Sequence, residues 1–191
     1  MIIVDGMDKV GKSTLVKAMA KELKFIPFRL TRFTGVLQQD PSSKKMWDEF
    51  SVIKRTELKL ITELSEAGQL KRIVFDRGIA SEYAYLDKNE IKQLDYIWEL
   101  DERLAKCPGK NLLILLHAPP EWIEPRLEDD EKQSLEEIKR YAGRFVEYGE
   151  RTQMTNIQID VTTKNAEEVF NVISQSDEIS EMWAVHCNQA S

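Results

Sequence analysis

Residues 6–13 have the types and the spacing of a phosphate-binding loop. They read Gly-Met-Asp-Lys-Val-Gly-Lys-Ser and match the pattern G-x-x-x-x-G-K-[ST] without a gap. In such a loop the glycines let backbone N–H groups turn towards a polyphosphate, and the positive end of the following helix adds to the attraction. The Lys12 ammonium would reach the outer phosphates, and the Ser13 hydroxyl would bind Mg²⁺. The loop therefore predicts binding of a nucleoside triphosphate.

The segments on either side of this loop are those that it requires. Residues 1–5 are a short apolar run typical of a buried strand, and apolar residues recur at helical spacing over residues 15–23. A glycine-rich turn that matches the pattern by chance need not join a strand to a helix. The residues assigned to bound ATP are Gly6, Asp8, Lys9, Val10, Gly11, Lys12, Ser13 and Thr14.

A second chemical signal stands at the end of another apolar run, residues 73–75. Asp76 and Arg77 follow this run directly. A carboxylate in this position can hold Mg²⁺, directly or through water, beside the serine of a phosphate-binding loop, so Ser13 and Asp76 are the predicted metal ligands. Arg77 would point into the same cleft, where a substrate phosphate is its natural partner. The alternative is a salt bridge at the end of the strand.

Strand-like runs alternate with helical stretches along the chain. The apolar runs are residues 2–4, 25–30, 73–75, 112–116 and 157–161. The helical patterns cover residues 12–24, about 46–68, about 79–106 with a break, about 120–127, about 134–152 and about 165–175. This alternation predicts an α/β fold in which helices cover both faces of a five-stranded parallel sheet. Ligands of such sheets lie at the carboxyl ends of the strands, where the loop and Asp76 fall.

The composition predicts a single domain. Hydrophobic residues make up 42% and charged residues 31% of the 191 residues, which is ordinary for a globular protein. We assign residues 1–176 to the domain and residues 177–191 to a C-terminal tail, which is either a short helix around Met182 and Trp183 or a frayed end. A charge run at 128–133 precedes a Ser134–Glu137 capping box, so a short lid is predicted at about 127–134. A plain solvated loop is the alternative for this segment.

Several classes of function are disfavoured. The net charge of −6 argues against binding to nucleic acid or to a membrane surface. No apolar run is long enough to span a membrane, and the first strand leaves no room for a signal peptide. The two cysteines match no metal or redox spacing. A cytoplasmic enzyme is the simplest expectation.

These motifs resemble those of the thymidylate kinases, which are P-loop nucleotide kinases. The loop resembles the G-x-D-x-x-G-K-S-T sequence of that family, and residues 76–85 resemble its D-R-x-x-x-S-x-x-A-Y segment. Arg55 stands where the family carries a base-recognising arginine, and Arg32 stands where it binds the monophosphate. Glu82 departs from the family, which has a small residue there. The resemblance covers residues 1–160.

The resemblance implies a three-layer α/β/α P-loop NTPase fold and ATP-dependent phosphorylation of a deoxynucleoside monophosphate, with dTMP as the preferred acceptor and Mg²⁺ as cofactor. Asp8 would bind the sugar 3′-hydroxyl, and Arg77 with Arg32 would hold the acceptor phosphate. The implied substrate-binding residues are Asp8, Arg32, Phe50, Arg55, Arg77, Ser81 and Tyr85. Phe50 and Tyr85 would equally suit a hydrophobic core, and Arg55 an exposed helix surface.

Phosphoryl transfer also needs a cation that neutralises charge on the transferred group. Lys9 follows Asp8 in the loop, whereas residues 128–131 of the predicted lid are all acidic. We therefore predict that Lys9 is this cation and that Arg126, at the edge of the lid, assists it. The predicted catalytic residues are Lys9, Lys12, Asp76 and Arg126. Adenine would lie against residues 162–165, after the last strand.

Two other functions remain open at this stage. A deoxynucleoside or other small-molecule kinase would need Asp76 or Asp8 to deprotonate a hydroxyl group. A nucleotide-gated switch is disfavoured because no N-K-x-D motif is present and Asp76 lacks the glycine of a D-x-x-G motif. A homodimer is also open, because the tryptophans suit either a core or an interface.

Overall fold

The structure is a computed structural model that describes residues 1–30, 44–85, 91–107, 110–128 and 133–187. For residues 44–51, 91–93 and 183–187 the description is limited to the backbone.

A parallel sheet forms the centre of the molecule, as predicted. Its five strands have the order β2-β3-β1-β4-β5, and every pairing is parallel. The central strand β1 is buried along its whole length, because β3 and β4 pair with it on either side. The strands are β1 (Ile2–Gly6), β2 (Ile26–Arg29), β3 (Ile73–Asp76), β4 (Leu112–His117) and β5 (Thr155–Asp160).

Helices flank this sheet in two groups that pack among themselves. The first and seventh helices pack together, and the third helix packs on the fourth and the sixth. Ser134 and Glu137 form the predicted capping box at the start of the sixth. The helices are α1 (Lys12–Glu22), α2 (Lys44–Glu66), α3 (Ile79–Tyr85), α4 (Ile91–Ala105), α5 (Pro120–Ile123, followed by a 3₁₀ turn at Glu124–Arg126), α6 (Leu135–Arg151), α7 (Ala166–Ser174) and α8 (Asp177–Cys187).

The start of β5 differs from the expectation. β5 begins at Thr155 rather than at residue 157, because its pairing with β4 starts opposite Leu112 and extends over polar residues. An edge strand leaves part of its surface to solvent, so the apolar run alone underestimates its length. The segment assigned to a tail contains α8, which buries Ile179 and Met182.

None of the described helices is both long enough and apolar enough to cross a membrane. Of the predicted lid, residues 129–132 lie outside the described residues.

Candidate active site

The backbone of the phosphate-binding loop depends on its two glycines. Gly6 has a φ of +137°, and a Cβ at this position would collide with the carbonyl oxygen of Leu116 on β4. Gly11 has a φ of +94° and is the N-cap residue of α1. Residues that carry a side chain rarely adopt such backbone angles, so glycine is needed at both positions for the loop to lie against the sheet. The N-terminus of α1 thus lies at the carboxyl end of β1, where it can receive an anion.

Lys12 is buried in this loop. Its side chain donates a hydrogen bond to the carbonyl oxygen of Met7, and the residue is only 5% exposed. The pKa of Lys12 is lowered to about 7, chiefly by burial and also by the charge of Arg77, while nearby carboxylates, Asp8 foremost, oppose the change. An anion bound to the loop would favour the charged form again. Lys12 is therefore arranged to gain a full positive charge when a phosphate binds.

Ser13 and Asp76 meet beside this lysine. The Ser13 hydroxyl donates a 2.6 Å hydrogen bond to Oδ2 of Asp76. Oδ1 of Asp76 is buried and receives no hydrogen bond from the part of the chain that the structure describes. A hydroxyl and one or two carboxylate oxygens are what a protein contributes to Mg²⁺ when phosphates and water supply the remaining ligands. These residues therefore fit Mg²⁺.

Arg77 connects the loop to α3. Its guanidinium forms an ion pair with Asp8, and Nη1 donates to the Ser81 hydroxyl at 3.3 Å. The guanidinium carbon lies 5.8 Å from the ring centroid of Tyr85. The structure thus brings together four of the predicted substrate-binding residues. Tyr85 also packs on Tyr141, with ring centroids 4.9 Å apart, so it belongs both to the cleft and to the contact with α6.

Asp5 is a residue of this site that the sequence reasoning missed. It is completely buried and accepts hydrogen bonds from the backbone N–H groups of Gly6, Gly78 and Ser81. The Ser81 hydroxyl also donates to it. Ser81 therefore contacts both Asp5 and Arg77, while its predicted contact with the substrate stays a prediction. A carboxylate in an otherwise apolar strand, directly before the loop, was the signal that could have found Asp5.

A cleft of about 140 Å³ lies between the loop and the start of α7. Val10 and Thr14 line one side, and Lys164 and Asn165 line the other. Asn165 also caps α7, because its side chain accepts hydrogen bonds from the N–H groups of the first helical turn. Part of the segment expected to hold adenine therefore borders the predicted ATP-binding residues.

Of Lys9 and Arg126, the predicted catalytic cation and its helper, only Lys9 lines this cleft. Lys9 lines it, and the Lys9 Nζ lies 2.6 Å from Oε1 of Glu128 at the start of the predicted lid. Trp122 lines it as well, and the guanidinium carbon of Arg126 lies 3.6 Å from the centroid of a Trp122 ring. Lys9 belongs to the loop itself, whereas Arg126 contacts the cleft only through Trp122, and the catalytic role of both stays a prediction.

The remaining residues assigned to the acceptor, Arg32 for its phosphate and Phe50 and Arg55 for its base, have different outcomes. Arg32 and the side chain of Phe50 lie outside the described residues. The backbone oxygen of Arg55 accepts a 2.9 Å hydrogen bond from the Tyr96 hydroxyl on α4. The neighbouring Lys54 is the more buried of the two, and its Nζ lies 3.3 Å from Oε1 of Glu82 on α3. The sequence reasoning did not assign this contact.

The sheet order, the flanking helices and the loop together define the fold of the P-loop kinases. No family model and no curated protein matches the chain. The YorR protein from Bacillus subtilis, solved in complex with phosphorylated GDP, is similar with a TM-score of 0.65 and 19% identity over 100% of this chain and 98% of that chain. Deoxyadenosine kinase from M. mycoides with bound dATP is similar with a TM-score of 0.64 and 18% identity over 90% of this chain and 96% of that chain. The same kinase with bound dCTP has a TM-score of 0.58 and 17% identity over 91% of this chain and 96% of that chain. At these identities the likeness establishes the fold.

Proposed function

We propose that this protein is an ATP-dependent kinase that phosphorylates a deoxynucleoside monophosphate, with dTMP as its preferred acceptor. The observation that carries the proposal is the position of Arg77, whose guanidinium forms an ion pair with Asp8 inside the phosphate-binding loop that also holds Lys12. Two cations that repel each other in the free protein would each be stabilised by a phosphate group. Lys12 would take the donor triphosphate and Arg77 the acceptor monophosphate.

The residues of the loop then have separate tasks. Lys12 and the N–H groups at the start of α1 bind the donor phosphates, and Ser13 with Asp76 would hold Mg²⁺. When bound, this ion neutralises charge on the donor phosphates. Arg77 orients an oxygen of the acceptor phosphate towards the γ-phosphorus. This oxygen forms a bond to the γ-phosphorus while the bond between the γ-phosphorus and the β–γ bridging oxygen breaks, and ADP leaves with the bridging oxygen.

An acceptor phosphate is already ionised near neutral pH, so its attack needs no general base. This favours a monophosphate over a nucleoside. The carboxylates at the site are engaged: Asp5 by backbone N–H groups, Asp8 by Arg77, and Asp76 by Ser13. The alternative, phosphorylation of a deoxynucleoside, gains its support from the deoxyadenosine kinase among the similar structures. One of the three carboxylates would then have to accept the proton of a hydroxyl group, and Oδ1 of Asp76, which receives no hydrogen bond from the described residues, is the oxygen placed for it.

An acceptor screen tests the proposal. ADP release from ATP would be measured with dTMP, with the other deoxynucleoside and ribonucleoside monophosphates, and with the nucleosides. Phosphorylation of dTMP above all others supports the proposal as it stands. Phosphorylation of nucleosides alone would favour the alternative. Binding of ATP without phosphorylation of any of these acceptors would contradict both and would indicate a nucleotide-binding protein without kinase activity.

A further inference from the structure

Lys54 and Glu82 form an ion pair between α2 and α3 in which the lysine is buried and the glutamate is partly buried. Their side chains are 10% and 24% exposed, and Nζ lies 3.3 Å from Oε1. Burial raises the pKa of Glu82, Lys54 opposes this effect, and the charges of Asp5 and Glu57 add to it. Lys54 thus contributes a positive charge next to the carboxylates of Glu82, Asp5 and Glu57.

An ion pair of this kind is expected to add little to the stability of the fold. Removing two charges from water costs free energy that their attraction often fails to offset, and apolar side chains of similar size would join two helices at least as well. An exposed pair between Arg103 on α4 and Glu66 on α2 shows how these helices can be linked without this cost, with contacts of 2.8 Å at 30% and 40% exposure. Buried charged groups with shifted pKa values are concentrated at functional sites.

The pair lies beside the residues that surround Arg77. Ser81 donates to Asp5 and accepts from Arg77, and the Tyr85 ring lies close to the same guanidinium. Glu82 follows Ser81 and stands three residues before Tyr85, so these residues occupy one side of α3. Arg77 is the predicted ligand of the acceptor phosphate. The Lys54–Glu82 pair links α2 to the helix that carries Ser81 and Tyr85, so an acceptor bound at Arg77 would have this pair beside the part of it that is remote from its phosphate.

We propose that Lys54 and Glu82 bind the base of the acceptor nucleotide and determine which acceptors are used. Glu82 accepts a hydrogen bond from an N–H group of the base, and Lys54 donates one to the neighbouring carbonyl oxygen or ring nitrogen. Each charged group then exchanges part of its ion-pair contact for a contact with the ligand. This assignment replaces Arg55 as the base-binding residue of α2, and it rests on the proposed function.

The test compares acceptors with and without a base. The variants are Lys54→Met and Glu82→Gln, and the acceptors are dTMP and 2-deoxyribose 5-phosphate, which keeps the sugar and the phosphate. We expect each variant to lower kcat/KM for dTMP by about 10- to 100-fold, because a buried polar partner is left unpaired. For 2-deoxyribose 5-phosphate the change should stay within about twofold. Arg103→Met, which breaks the exposed pair to Glu66, is the matched control and should change neither value.

Glu82→Gln keeps the shape of the side chain, so it provides the result if Lys54→Met does not fold. Equal losses with both acceptors, or no loss with either, would overturn the inference and leave the pair a structural contact. Equilibrium binding of the two acceptors is measured in parallel by calorimetry. If the unaltered protein transfers no phosphate, the proposed function fails. The inference is then judged from binding alone, and it is overturned if the variants bind dTMP as tightly as the unaltered protein does.

Discussion

Arg77 and Asp8 lie 69 residues apart in the chain, and their side chains form an ion pair at the mouth of the phosphate-binding loop. The contact is possible because β1 and β3 are neighbours in the sheet, with Val4 opposite Asp76. An acceptor phosphate that binds Arg77 must therefore share the guanidinium with Asp8. The pair keeps the arginine directed at the loop before the acceptor arrives, which reduces the cost of ordering its side chain on binding.

We expect Arg77→Met to lower kcat/KM for the acceptor by about 100-fold or more, because a bidentate phosphate contact is lost and Asp8 loses its partner. Binding of ATP should not weaken, since the charge of Arg77 lowers the pKa of Lys12 and its removal favours the charged lysine. Steady-state kinetics in the acceptor and calorimetric titration with ATP would measure the two effects. A variant that loses both to the same extent would contradict separate phosphate sites.

Lys12 should take up a proton when ATP binds. In the free protein its pKa is about 7, so at pH 8 most molecules hold a neutral lysine, and a bound triphosphate would raise that pKa. Calorimetry in two buffers with different ionisation enthalpies would show an uptake approaching one proton at pH 8 and little uptake at pH 6. Lys12→Arg, which stays charged throughout this range, is the control. Equal proton uptake by the two proteins at pH 8 would contradict the assignment.

The same lysine predicts a pH dependence of stability. Its pKa of about 7 in the folded protein lies below the ordinary 10.5, so the unfolded chain binds more protons between these two values. The contribution of Lys12 to the free energy of unfolding therefore increases as the pH rises through this interval. Lys12→Met should remove this dependence and raise the melting temperature of the ATP-free protein at pH 6. A lower melting temperature at pH 6 would show that burial of the charge is not destabilising.

Lys9 can be tested separately from the ion pair that it forms with Glu128. Lys9 has a φ of +64°, so Lys9→Asn is the better variant, because asparagine tolerates this backbone conformation. We expect kcat to fall by about 100-fold or more while the dissociation constant of ATP changes by less than about threefold. Glu128→Gln breaks the exposed ion pair but keeps the cation, and its kcat should be nearly normal. Near-normal turnover of Lys9→Asn would refute a catalytic role.

Two glycines that differ in their surroundings give a test of the loop geometry. Gly6→Ala should lower the free energy of unfolding by about 2–4 kcal/mol, because the new methyl group meets a backbone oxygen at a φ that alanine avoids. Gly143→Ala, inside α6 with open space around it, should raise the free energy of unfolding by about 0.5–1 kcal/mol. Urea unfolding of both variants measures the difference. Similar effects at the two positions would contradict the described loop.

Much of this arrangement could be predicted from local patterns. The phosphate-binding loop is contiguous, so its residue types alone predict its conformation and its place between β1 and α1. The strands inside the sheet are apolar runs, and the capping box of α6 requires only Ser134 and Glu137. Each of these features depends on residues a few positions apart, where spacing along the chain determines spacing in the molecule.

The contacts that complete the site could not be predicted in this way. Asp5 meets Ser81, and Lys54 meets Glu82, only because strand register and helix packing bring distant segments together. A helix turns by about 100° per residue, so the choice between Lys54 and Arg55 depends on the rotation of α2 against α3. Neighbouring positions in the sequence point in different directions. The sequence predicts which residue types could bind a nucleotide. The packing of α2 against α3 determines which of these residues lie where a nucleotide can contact them.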